Sequence, residues 1–391
     1  MQILTPDIKT LESFSFPRAS REPFSDDVLL FIEAISKRLT KEDSYRQFEE
    51  LVALGFWLRR SHINSLKKRF FKHYVEDIVM PRGVVFHIAP SNVDTIFLYS
   101  FVLSLLVGNH NIVRITQKEN PQIEPLLSLV VEELKNFPNL YNSTLLIRYG
   151  HEDSITQELS KLCDVRVIWG GDATIEHIRK IPIKPTAIEL TFADKFSFFA
   201  IKLSQVVLDE NFYEKLYRDS FTFLQNACSS IRAICFIDTS SAEKKLFWNG
   251  FYNFIEMKRP QLEAKTQIDK LIALTSLAIE NRTIALSFQP FMSVVELPNL
   301  KAIDEKKHCG GGLFYDIDIK NLEELFLYST KKDQTLSLAG ITEEDLHKAF
   351  KQSPPQGFDR VVSVGKAMEF NAVWDGFDIM SSLSRIVDVD L

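Results

Sequence analysis

Cysteine is scarce in this chain of 391 residues, and its four copies, Cys163, Cys228, Cys235 and Cys309, fall into no pattern. No C-x-x-C pair occurs, and the eight histidines include no H-x-x-x-H pair. A disulfide framework and a structural zinc site are therefore not expected, and the usage fits a reducing cytoplasm. Positive charge is not in excess either. The formal net charge of −6 argues against an extended nucleic-acid surface. A long apolar run is also missing. The longest uncharged stretch follows Asp94 and reaches Val113, but Gly108, Asn109, His110 and Asn111 end its apolar part near Val107. That falls short of the roughly 20 residues needed to cross a bilayer, so it reads as a buried helix. The amino terminus carries Asp7, Lys9 and Glu12 before any apolar run, so no signal peptide is expected. No internal repeat and no low-complexity segment is present.

Phenylalanine is what the chain has in plenty, with 31 copies. Most belong in cores, and a surplus would suit an apolar channel. At about 150 residues per domain the length suggests two or three units, each large enough for a sizeable core. Asp26 to Leu39 and Tyr45 to Leu58 have helical periodicity. Ser61 to Tyr74 continues as a basic amphipathic helix whose Lys67, Lys68 and Arg69, with Arg59 and Arg60 before them, form a solvated face or meet an acidic or phosphorylated partner. Strand and helix then alternate to about Leu203, which predicts a mainly parallel sheet. A second α/β region follows, with a helix at Lys265 to Glu280 and a strand at Phe291 to Leu297. Lys351 to Phe358, with Pro354, Pro355 and Gly357, reads as a linker. The expected domains are 1–203, 204–350 and a return segment 351–391 that packs on the first domain or on a second subunit.

Three stretches carry chemistry. In the first, Gly83 to Ala89 reads as a buried strand, Pro90, Ser91 and Asn92 as a turn, and Val93 to Val107 as a helix capped by Asn92 or Asp94 and closed by Gly108. Asn111 to Thr116 is the next strand. This is a βαβ unit with its turn at the carboxyl end of a strand, where nucleotides bind in open α/β sheets. In the second, strand Val165 to Trp169 leads into Gly170 and Gly171, and a helix opens at about Asp172. Such a glycine pair allows close approach of a phosphate to helix amides. Asp172 would repel a pyrophosphate, so it caps the helix or meets a ribose. In the third, QNACSS (Gln225 to Ser230) sets Cys228 among small residues, between a helical stretch at Asn211 to Leu224 and an apolar strand at Ile231 to Ile237. A thiol on such a turn is open to substrate and its thiolate attacks acyl carbons. A buried, inert cysteine is the competing reading.

The order of these features, a P-x-N turn, an apolar helix, Gly108 and Asn109, a basic strand end, a glycine pair, Glu189 and Leu190, then Cys228, resembles the aldehyde dehydrogenase superfamily. It resembles more closely the acyl-CoA reductases of bacterial luminescence systems, through IWGGDATIEHIRK (Ile168 to Lys180), QNACSS and the tail Phe358 to Val387. The resemblance spans about Gly83 to Val387. It implies an aldehyde-dehydrogenase-like α/β fold, with a Rossmann-type cofactor domain and an α/β catalytic domain. It further implies NADPH-dependent reduction of a fatty acyl thioester, carried by coenzyme A or by a protein, to the aldehyde. Cys228 would be the nucleophile, with the Asn92 side chain and the Cys228 backbone N–H as oxyanion donors. Glu189 matches the superfamily's general base. In a reductase that residue would assist the thiol or exclude solvent instead of activating water, and an ordinary strand-end carboxylate is the plainer reading. Ala89, Pro90, Ser91, Arg114, Gly170 and Gly171 would hold the cofactor, with Arg114 pairing with the 2′-phosphate of NADPH. An acyl-activating partner protein and a homo-oligomer are also implied. Two departures stand out: Thr191 and Phe192 replace the glycines that usually follow the E-L pair, and no glutamate motif is visible at Cys309 to Leu313. Three alternatives stay open: aldehyde oxidation, a cysteine hydrolase or acyltransferase served by His87 or His308, and a non-catalytic binding module.

Overall fold

The computed structural model describes residues 1–390 apart from 19, 75–76, 91–94, 118–122 and 281–282. The described chain forms two compact units, residues 1–193 with 370–391, and residues 194–369. This partition differs from the one expected. Phe196–Ile201 is apolar on both faces, and its hydrogen bonds go to strands of the second unit, so the break falls before it. The 351–358 stretch is no linker between units. Phe358 is buried and its N–H bonds to Asp333 O at 2.8 Å, and Arg360–Ser363 then joins the second sheet.

The first unit is built on a six-stranded sheet of order β1-β4-β3-β2-β5-β6. These strands are β1 (Gln2–Thr5), β2 (Val84–Ile88), β3 (His110–Ile115), β4 (Thr144–Arg148), β5 (Val165–Trp169) and β6 (Ile188–Phe192). All neighbours run parallel except β1, which lies antiparallel to β4. Near-continuous apolar runs such as VRVIW suit strands covered on both faces. The helix Ile96–Leu106 is buried at every position, as a stretch apolar all round must be. It ends at Gly108, whose φ of +88° and close contact with Arg21 O leave no room for a side chain. The expected caps Asn92 and Asp94 lie outside the described residues. The tail returns into this unit, with Ser384–Val387 antiparallel to Ile78–Pro81.

The second unit carries a seven-stranded sheet of order β9-β10-β11-β8-β7-β12-β13. Its strands are β7 (Phe196–Ile201), β8 (Ile231–Ile237), β9 (Ala285–Phe288), β10 (Ser293–Leu297), β11 (Leu313–Ile319), β12 (Asp333–Ala339) and β13 (Arg360–Ser363). Only the edge pair β9 and β10 is antiparallel. Much of the phenylalanine surplus is core. Phe199, Phe212, Phe221, Phe236, Phe247, Phe251, Phe254 and Phe314 share one buried cluster, each stabilising by about 1.5–3 kcal/mol. Among the described residues no helix is long and apolar enough to cross a membrane.

Candidate active site

In the first unit, the carboxyl ends of β2, β3 and β5 open on a cavity of about 480 Å³. Ala89, Pro90, Arg114, Gly170 and Gly171 all line it, and Ser91 lies outside the described residues. Gln117, His151, Trp169 and Thr174 complete much of the wall, and none of the described lining residues is acidic. Gly171 is the N-cap of the helix Asp172–Arg179, so Asp172 lies within the first turn and does not cap it. The helix amides therefore face the cavity end of the β5 turn and favour an anion there. Arg114 donates to Gly150 O and stacks 4.9 Å over the Tyr149 ring. Its buried Nε has no hydrogen-bond partner among the described residues. A guanidinium with a spare donor, facing described lining residues that include no carboxylate, fits a phosphate-bearing cofactor.

Glu189 sits elsewhere in this unit, on β6 beside Arg166 of β5, its register partner. Its carboxylate takes Arg166 Nε at 2.7 Å on one oxygen and Arg179 Nε at 3.0 Å on the other. Arg166 is itself buried and also donates to Ser160 Oγ and Ile181 O. Both carboxylate oxygens of Glu189 are thus committed to guanidinium donors. The surroundings of Glu189 are those of a structural ion pair.

The thiol belongs to the second unit. The helix Glu210–Phe221 stops short of the expected Leu224, because Phe223, Leu224 and Gln225 take φ of 57°, 51° and 63°. Three successive non-glycine residues in the left-handed region are costly and persist only where the surroundings hold them. Here the loop Gly310–Gly312 does so. Gly311 N–H bonds to Leu224 O at 2.9 Å, and Gly312 N–H bonds to the Gln225 side-chain oxygen at 2.7 Å. The Gln225 amide nitrogen reaches Ile231 O and Leu313 O. All three glycines have positive φ, and a Cβ on Gly312 would lie 2.2 Å from Phe291 O. The glycines that carry no cofactor motif thus cradle the turn that leads into Cys228.

Cys228 is half-buried on this turn. Its carbonyl accepts from Ser197 Oγ at 2.7 Å. Arg232 folds back over the turn and donates to Gln225 O, Ala227 O and Lys195 O at 3.1–3.4 Å. Burial works against the Arg232 charge, and Cys228 is the first of the neighbouring groups that support it. The other three thiols are pushed up by burial, Cys163 and Cys309 to about 11 and Cys235 further. They are poor nucleophiles at neutral pH.

Neither histidine suits the hydrolase alternative. His308 Nε2 donates to Leu313 O at 2.8 Å and Nδ1 accepts from Gly310 N–H at 3.2 Å, which fixes a neutral tautomer. Burial lowers its pKa to about 3. His87, wholly buried in the first unit, is held by Ser100 Oγ and Asn111 Oδ1. Ser197, Gln225, Arg232 and the Gly310–Gly312 run were not selected from sequence. The triple glycine and a lone arginine in the apolar IRAICFI strand were the available signals.

Two parallel-sheet α/β units, one with a phosphate-friendly cavity and one with a cradled thiol, make up an aldehyde-dehydrogenase-type fold. Solved structures agree on that fold. A 1-pyrroline-5-carboxylate dehydrogenase variant from Thermus thermophilus superposes with a TM-score of 0.70 at 12% identity, covering 94% of this chain and 81% of the other. Aldehyde dehydrogenase 21 from Physcomitrella patens, solved with the product succinate, gives 0.67 at 10% identity, with 92% and 84% covered. No curated protein sequence matches the chain. The family model described as acyl-CoA reductase (LuxC) matches residues 23–246. The chain belongs to the LuxC acyl-CoA reductase family.

Proposed function

We propose that the protein reduces a fatty acyl thioester to the aldehyde with NADPH, through an acyl-enzyme on Cys228. The observation that carries this reading is the Cys228 turn: a half-buried thiol beside a half-buried guanidinium, while burial suppresses the other three thiols. The Cys228 sulfur bonds to the acyl carbon, the carbonyl π electrons move onto oxygen, and the carrier thiol leaves as the oxyanion collapses. The resemblance would give the oxyanion two donors, the Cys228 N–H and the side chain of Asn92, which lies outside the described residues. A nicotinamide, when bound, would supply hydride to the acyl group. The resulting thiohemiacetal loses the Cys228 thiolate, which regains a proton, and the aldehyde departs. Ala89, Pro90, Ser91, Gly170 and Gly171 would cradle the cofactor, and Arg114 would meet its 2′-phosphate. Among the described residues the cavity lining holds no carboxylate, which supports NADPH over NADH. Glu189 takes no proton in this scheme. An acyl-activating protein is the natural donor of the acyl group.

Incubation of the protein with labelled acyl-CoA and no reductant is expected to leave one thioester-linked label, released by hydroxylamine. Cys228→Ala is expected to take up none. Label persisting in that variant would overturn the assignment.

A further inference from the structure

We propose that Ser197 and Arg232 are positioning residues that fix the two peptides flanking Cys228 and so preset the direction of its backbone N–H. The inference rests on Cys228 as the nucleophile with that N–H as an oxyanion donor, and it names the residues that set its geometry. In a trans peptide the carbonyl and the following N–H point in opposite directions, and the only cis bond among the described residues is Thr5–Pro6. The Ala227 carbonyl is anchored from one side by Arg232 Nη2 at 3.4 Å and by Ser230 N–H at 3.1 Å. The N–H of the same peptide, which is that of Cys228, is therefore directed away from Arg232. The next peptide is pinned through Cys228 O by the Ser197 hydroxyl, which in turn accepts Thr335 N–H at 3.1 Å. The two anchors together leave the Cys228 backbone little rotation.

Ser197 reaches this position because β7 is irregular there. Its register against β8 shifts between Ser197 and Phe198, and its register against β12 shifts between Asp333 and Leu336, the segment that carries Thr335. An irregularity of this kind re-aims a side chain that a regular pleat would commit to the neighbouring strand. Ser197 is wholly buried, so its hydroxyl does not exchange these partners for water. Arg232 is held as firmly, with its fork spread over Lys195 O, Gln225 O and Ala227 O. The chain thus commits one hydroxyl and one guanidinium to backbone carbonyls around a single thiol. A donor that must meet a developing oxyanion gains from being fixed beforehand, because no reorganisation is then needed during the reaction.

The test compares two reactions of Cys228 in the full chain. Acyl transfer from p-nitrophenyl acetate passes through an oxyanion, whereas alkylation by iodoacetamide does not. Both are followed by mass, and the limiting rates of the fully ionised thiolate are taken from pH profiles, which removes any effect of Arg232 on ionisation. In Ser197→Ala and Arg232→Met, acylation is expected to fall on the order of 10- to 100-fold, with alkylation within about twofold of the parent. Arg232→Lys, which keeps a donor, is expected to recover part of the loss. If Arg232→Met does not fold, Ser197→Ala carries the test. Equal losses in both reactions would show a merely structural role and overturn the proposal, as would unchanged acylation or a parent protein that the ester does not acylate. Acyl-CoA run beside the ester reports separately on substrate: acylation by the ester alone would discard the acyl-CoA reading and leave the positioning roles standing.

Discussion

Arg114 shows what a single residue can decide in the proposed reaction. It stands at the end of β3, where its guanidinium is steadied by Tyr149 and by Gly150 O, and its buried Nε has no hydrogen-bond partner among the described residues. A charge-assisted hydrogen bond is worth about 1.5–3 kcal/mol, or roughly a 10- to 100-fold change in an equilibrium. Arg114→Ala is therefore expected to lower kcat/KM for NADPH by about that factor and to leave the value for NADH nearly unchanged. An unaltered ratio of the two would remove Arg114 from cofactor choice. At this scale the sequence spoke where chemistry and spacing coincide. Arg114, Gly170 and Gly171 follow strands and meet at one cavity. It was silent on the partners of Glu189, since Arg166 lies across a strand pair and Arg179 on the following helix. Nothing in an E-L pair reveals a clamp built from residues so far apart in the chain.

The turn Gly365–Glu369 is an element held almost entirely by charged side chains. Asp219, wholly buried, accepts Gly365 N–H at 2.5 Å and Ala367 N–H at 3.0 Å, and Arg360 donates to the carbonyls of Lys366, Ala367 and Glu369 at 2.8 Å. Met368 in this turn meets Ser229, the residue after Cys228, with 3.7 Å between sulfur and hydroxyl. Burial pushes Asp219 up to about 6, and the two amides pull only part of the way back. In the unfolded chain the same carboxyl titrates near 3.9. Between about pH 4 and 6 the folded state thus holds a proton that the unfolded chain has released, so this group adds stability as pH falls through that window. The stabilisation is fully present below about 4 and lost above about 6, and amounts to roughly 3 kcal/mol. Asp219→Asn removes this dependence and sets an amide N–H against a backbone N–H. The variant is expected to unfold at lower urea than the parent at both pH 5 and pH 7.5, with the wider gap at pH 5. A gap independent of pH would assign the titration elsewhere. Most elements were legible from periodicity, as the match of Val165–Trp169 and Ile231–Ile237 shows. The end of the helix before Cys228 was not, because Phe223, Leu224 and Gln225 carry no residue-type signal for left-handed backbone.

For the whole molecule, a fold shared at 10–12% identity fixes the scaffold and leaves the direction of the chemistry open. The break between units was misplaced from sequence for a related reason. Phe196–Ile201 reads as one more buried strand, and only its pairing with β8 and β12 assigns it to the second unit. Direction turns on what becomes of an acyl-enzyme. Oxidation of an aldehyde to a free acid ends with water attacking the acyl carbon, and that water needs a base. Glu189 is clamped by Arg166 and Arg179, and the two nitrogens of His308 are committed to Leu313 O and Gly310 N–H. General-base assistance is worth about 10²–10⁴ in rate, so in the proposed reaction a thiolate, which needs no base, would be a better acyl acceptor than water. NADPH with acyl-CoA of graded chain length is expected to give aldehyde, captured as a hydrazone while cofactor absorbance falls. With aldehyde and NADP⁺ the reverse reaction is expected to require coenzyme A and to run at least about 100-fold slower when water is the only acceptor. Rapid formation of free acid without coenzyme A would reverse the assigned direction, and turnover confined to small polar acyl groups would keep the chemistry and discard the fatty substrate.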